Sequence, residues 1–94
     1  MPVPTTPFDP AELLDSAEAQ AEYLSLAMQD GDVAEVAHAL GVVARARGMS
    51  NVARDAGLGR ESLYKALSET GNPELGTVLK VLQGMGLRLA VHPA

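Results

Sequence analysis

A chain of 94 residues is the size of one domain, and its 47% apolar content comes with no Trp, one Phe and two Tyr. The core must therefore be Ala, Leu, Val and Met in short helices that cross closely; with no Cys, disulfides and thiolate metal sites are excluded. The net charge of −5 is unevenly spread: residues 1–44 hold eight acids and no Lys or Arg, whereas 45–94 hold seven bases and four acids.

Residues 1–8 (MPVPTTPF) carry three prolines and no hydrophobic period, so an extended arm is expected. No base precedes an apolar run there, which argues against a secretory signal and makes the cytoplasm the default. No apolar stretch reaches the roughly 18–20 residues that span a bilayer. Asp9-Pro10 reads as a helix start, with Asp9 as N-cap and a short helix running to about Leu14. Asp15 and Glu18 match a capping box ahead of AEAQAEYLSLAMQ, whose apolar side is Ala21, Leu24, Ala27 and Met28, with Tyr23 alongside. Asp30-Gly31-Asp32 closes that helix and caps the next, where Glu35 repeats the capping-box signal. The helix VAEVAHALGVVARAR is expected to bury Val33, Val36, Ala37, Leu40, Val43 and Ala44, and to stop at a left-handed Gly48.

Two short helices follow. Ser50 is read as the cap of the first, Asn51 to Ala56, and Gly57 ends it. Leu58-Gly59 is the turn, and Arg60 to Leu67 is the second helix. Thr70-Gly71-Asn72-Pro73 marks another turn. Glu74 to Met85 supports a last helix with Leu75, Val78, Leu79 and Leu82 on one side, ended by Gly86. LRLAV at 87–91 is the one segment that alternates like a strand.

The two short helices match the demands of a DNA-binding helix-turn-helix. The first helix needs a small residue where the second crosses it, and Ala53 stands there. Four residues later the turn needs positive φ, which Gly57 adopts at least cost. Val52, Ala56, Leu58 and Leu63 carry the apolar spacing back to the core. The second helix then offers a polar face of Arg60, Glu61, Ser62, Tyr64 and Lys65. Five of the seven bases lie between positions 45 and 65, so the local field is basic although the total is acidic.

Roles follow from position. Arg60 near the helix start suits guanine O6 and N7, and Glu61 suits cytosine N4. Lys65 reaches a base or the facing phosphate. Ser50 and Asn51 at a helix N-terminus suit a phosphate oxygen, and Arg45, Arg47 and Arg54 suit backbone clamping. Tyr64 either touches DNA or packs on the Gly71-Asn72-Pro73 turn. The candidate DNA-binding set is Arg47, Ser50, Asn51, Arg54, Gly59, Arg60, Glu61, Ser62, Tyr64 and Lys65.

The run ARARGMSNVARDAGLGRESLYKALSETGNPELGTVLKVLQGMGLRL resembles the probable addiction-module antidote proteins. These are HigA-like antitoxins of type II toxin–antitoxin pairs with a lambda-repressor-like DNA-binding domain. FDPAELLDSAEAQAEYLSLAMQDGD is similar to that family as well, and GRESLYKALSETGNP is the most specific stretch. The resemblance implies a dimer that represses its own operon and neutralises a basic RelE/HigB-like toxin, toward which the acidic first half would face. Gly59 departs from the family, which usually has Ser there; losing that N-cap hydroxyl implies weaker DNA binding than in relatives.

The expected fold is thus an all-α, lambda-repressor-like bundle of five to six short helices with a short C-terminal β-strand. An extended arm covers 1–8 and one helical domain covers 9–94, with the helix-turn-helix at 50–67 and the strand at 87–91. That strand has no counterpart in its own chain, so it is expected to pair with a second subunit and make a homodimer. The expected partners are double-stranded operator DNA and the toxin, with no membrane. His38 and His92 are the only histidines and no carboxylate group joins them, so no metal, cofactor or catalytic role is expected. The met residues at 28, 49 and 85 fit core filling. The alternatives are a phage-type repressor without a toxin partner and a protein-interaction module that has lost DNA binding.

Overall fold

The computed structural model describes residues 14–68 and 71–94. Five α-helices follow one another along them: α1 Ala17–Gln29, α2 Val33–Arg47, α3 Met49–Ala56, α4 Arg60–Ala66 and α5 Leu75–Gly84. No strand occurs among the described residues, so the chain is all-helical there. No helix among them is long and apolar enough to cross a membrane. The expected arm over 1–8, the helix start at Asp9 and the Thr70 end of the 70–73 turn lie outside the described residues.

The first two helices begin on side chains that satisfy free backbone N–H groups. The Asp32 carboxylate accepts from the Ala34 N–H at 2.9 Å, as its position in the sequence predicts. At α1 the cap is Ser16 rather than Asp15: its hydroxyl accepts from the Ala19 N–H at 3.1 Å. Asp15 and Ser16 are both good caps. Ser16 is the residue held in extended backbone (φ −132°, ψ 156°) with helix on its far side, so the expected Asp15–Glu18 box is one residue out of register.

Gly48 departs from its expected conformation too. Its φ of 96° is positive, but its ψ of 113° is not that of a left-handed helical cap. It closes α2 and opens α3 in one step, so α3 starts at Met49 and Ser50 lies in the first turn without capping it. At the other end of the chain the helix-ending role of Gly86 holds. The Leu87 N–H reaches back to the Leu82 carbonyl at 2.8 Å and the Gly86 N–H to Gln83 at 3.0 Å, a Schellman motif.

The core is centred on α2, which buries Ala37, Ala39, Leu40, Val42, Val43 and Ala44. So many buried positions span more than one face, and the small Ala and Val side chains let neighbouring helices approach. Around α2 stand Leu24 of α1, Met49, Val52 and Ala53 of α3, Leu63 of α4, and Val81, Leu82 and Met85 from the end of α5. Each fully buried Leu, Val or Met contributes about 1.5–3 kcal/mol from apolar burial. The principal helix pairings are α3 with α5, α1 with α2, α3 with α4 and α2 with α3. Gly84 permits the first: a Cβ there would lie 2.9 Å from the Ala56 backbone nitrogen.

Three apolar expectations are corrected by this packing. Val33 is half exposed at the start of α2. On α5 the buried face is Val81, Leu82 and Met85, with Val78 packed against it, while Leu75 and Leu79 are exposed. Helix α5 is apolar on more than one side, and its contact with α3 selects which side is buried. Finally, 87–91 forms no strand: Leu87 packs on the core, Arg88 to Val91 are exposed, and no described segment pairs with them. A strand needs a neighbour for its ladder, and the described residues offer none.

Candidate nucleic-acid interface

Helices α3 and α4 are joined by Gly57, Leu58 and Gly59. Gly57 adopts the left-handed conformation (φ 70°, ψ 32°) that an L side chain enters only at a cost. The Gly57 N–H then reaches the Arg54 carbonyl at 3.2 Å and the Leu58 N–H reaches Ala53 at 2.9 Å, which closes α3 as a Schellman motif. Leu58 packs against the core and Ala53 is buried beneath the turn. Gly59 stands at the N-cap of α4 in extended backbone (φ −68°, ψ 143°), with no side chain to cap it. Its carbonyl accepts from the Leu63 N–H at 3.0 Å and starts the helix.

The one buried residue of α4 is Leu63, which has no exposed surface. Arg60, Glu61, Ser62, Tyr64 and Lys65 are all exposed, so the expected polar face is brought together on one short helix. The Arg60 guanidinium carbon lies 5.5 Å from the centre of the Tyr64 ring. That cation–π geometry, from an i,i+4 pair, contributes about 0.5–1 kcal/mol at an exposed site and narrows the rotamers of Arg60.

On α3, Ser50, Asn51 and Arg54 are exposed. The Asn51 amide donates to the Arg47 carbonyl at 3.3 Å. Arg54 donates from Nε to the Asp55 carboxylate at 3.3 Å, an exposed pair worth about 0–1 kcal/mol that leaves the guanidinium accessible. From Arg45 to Ala66 five cations face two carboxylates, so this part of the surface is basic.

Arg47 is the one candidate the structure sets apart from the others. It is half-buried, and its Nε donates to the Gln20 side-chain oxygen at 2.6 Å. Gln20 is itself buried, and its amide donates to the Leu14 carbonyl at 2.9 Å. That bond, made through Nε, makes Arg47 a strut between α1 and α2. Gln20 was not anticipated from sequence; the only available signal was a polar residue at helical spacing from Leu24, among the apolar positions of α1.

Comparison with known proteins places this geometry in context. Residues 4–93 match the family described as "Probable addiction module antidote protein". A protein of Haemophilus influenzae (strain Rd), printed as "Uncharacterized protein", is 50% identical over 85 residues, covering 90% of this chain and 88% of that one. No solved structure matches the chain. With that likeness along almost its whole length, the chain belongs to the addiction-module antidote family, which assigns it an antitoxin role and a toxin as partner.

Proposed function

We propose that this antidote is a HigA-like autorepressor with a lambda-repressor-like DNA-binding fold, and that its partner is a RelE/HigB-like toxin. In this reading α3 and α4 form a helix-turn-helix and α4 enters the major groove of operator DNA. The observation that carries it is α4 itself, a helix held by Leu63 that turns every long polar side chain outward behind a left-handed glycine turn. Arg60, steadied over Tyr64, pairs with guanine O6 and N7, and Glu61 accepts from cytosine N4. Lys65 reaches a base or phosphate. Ser50, Asn51, Arg54 and the backbone at Gly59 lie against the sugar-phosphate chain, and Arg47 acts by bracing α2 at the point where α3 begins.

A homodimer follows from the same reading. Val33, Leu75, Leu79, Leu89 and Val91 are large apolar side chains left exposed. Val33, Leu75 and Leu89 line one shallow groove of about 310 Å³ together with Met28, Pro73 and Val78. A second copy placed there would cover them and give 87–91 the ladder partner it lacks among the described residues. It would also set two recognition helices about 34–36 Å apart, one turn of DNA. Sedimentation of the purified chain checks this: a monomer at micromolar concentration refutes it.

The competing reading, an interaction module without DNA binding, draws on the acidic total and the uncapped Gly59. A gel shift on the chain's own upstream DNA separates the two. Binding at about 50 mM salt that weakens steeply as salt rises supports the repressor, and no binding there refutes it. Arg60→Ala then costs about 1–3 kcal/mol and relaxes one base preference; an equal loss on every sequence makes Arg60 a phosphate contact.

A further inference from the structure

Between the outer faces of α1 and α2 runs an open groove of about 680 Å³, lined by Tyr23, Leu26, Ala27, Ala34, Glu35 and His38. Leu26 is 58% exposed, although it sits in the middle of a well-packed helix. Along α1 the i,i+4 spacing puts Glu22, Leu26 and Asp30 in one stripe, and Glu35 faces it from α2. We propose that this groove is where the toxin docks, through a cationic segment that carries an apolar ridge. The proposal rests on the toxin-neutralising half of the reading above and is independent of the DNA-binding half.

Charge decides the occupant. Asp15, Glu18, Glu22, Asp30, Asp32 and Glu35 are all exposed, and no Lys or Arg occurs before Arg45. Among the described residues the single ion pair is Arg54 with Asp55, so none of these six carboxylates is paired with a described cation. DNA is repelled by such a rim. A second copy of this chain is repelled too, since it would set two carboxylate rims within a Debye length of about 10 Å. The groove that includes Leu75 and Leu89 has no charged residue in its lining and suits self-association instead. A cationic protein partner fits the α1–α2 groove on both counts: its charge is drawn to the rim, and its apolar ridge covers Leu26 and Tyr23. No lining residue belongs to α3, α4 or α5, so toxin and DNA would occupy different surfaces.

The test is titration calorimetry of the full chain with the purified product of the adjacent gene, at two salt concentrations. Leu26→Arg and Glu22→Lys/Glu35→Lys are compared with wild type and with Gln83→Arg, an exposed position on α5, as control. Circular dichroism first establishes that each variant melts like wild type, as the exposure of these positions predicts. Leu26→Arg should weaken toxin binding by at least about 30-fold. The double charge reversal should weaken it by at least about 10-fold and flatten its salt dependence. Gln83→Arg should leave it unchanged, and operator binding should survive in both groove variants. Toxin binding at wild-type strength by both groove variants overturns the groove while leaving the antitoxin reading intact. No binding by the wild-type chain overturns the toxin reading and the groove with it.

Discussion

Replacing Gln20 by Ala removes two hydrogen bonds that join separate parts of the chain. The Gln20 side-chain oxygen accepts from Arg47 Nε at 2.6 Å, and its amide donates to the Leu14 carbonyl at 2.9 Å. A bond to a charged partner contributes about 1.5–3 kcal/mol and a neutral one about 0.5–1.5 kcal/mol. Arg47 is half-buried, so water reaches the freed guanidinium and recovers part of the loss. The net cost is about 2–3 kcal/mol, which in a chain this short lowers Tm by about 10–20 °C. Urea denaturation followed by circular dichroism measures it. A double-mutant cycle with Arg47→Met, which keeps the apolar stem, isolates the pair. A coupling of about 1–2 kcal/mol is expected. A coupling below about 0.3 kcal/mol, or a single-variant cost below about 0.5 kcal/mol, would refute the strut.

Leu63→Ala removes the buried anchor of α4 and should cost about 2–5 kcal/mol in the same denaturation assay, with operator binding lost in parallel. Gly57→Ala forces an L side chain into the left-handed turn and should cost about 1–2 kcal/mol; Gly57→Asn should recover part of that, because Asn tolerates this region. Gly59→Ser goes the other way. A Cβ there meets nothing closer than the Ser62 hydroxyl at 3.7 Å, and the N-cap position lacks a side-chain partner. It should stabilise the chain by about 0.5 kcal/mol through capping and a stiffer unfolded chain, and tighten operator binding in a gel shift.

The all-helical class, the Asp32 cap, the Gly57 turn and the α4 face were legible because each depends on residues within a few positions of one another. A carboxylate two residues before a free N–H, or a glycine where φ must be positive, acts locally. The span from Glu74 to Met85 was legible for the same reason, with those two residues now at the caps of α5. The choice of Ser16 over Asp15 was not, since both side chains can cap and only the path of the incoming chain separates them.

By itself, then, the sequence determined where helices start, where they turn, and that one short helix is polar on all sides but Leu63. Tertiary structure decided which apolar stripe of α5 is buried, because Leu75–Leu79 and Val81–Met85 are equally good stripes until α3 packs against one of them. It also tied Arg47 to Gln20, a contact 27 positions apart in the chain. And it left 87–91 without a ladder among the described residues, since alternation marks a segment able to pair but cannot supply the strand it pairs with.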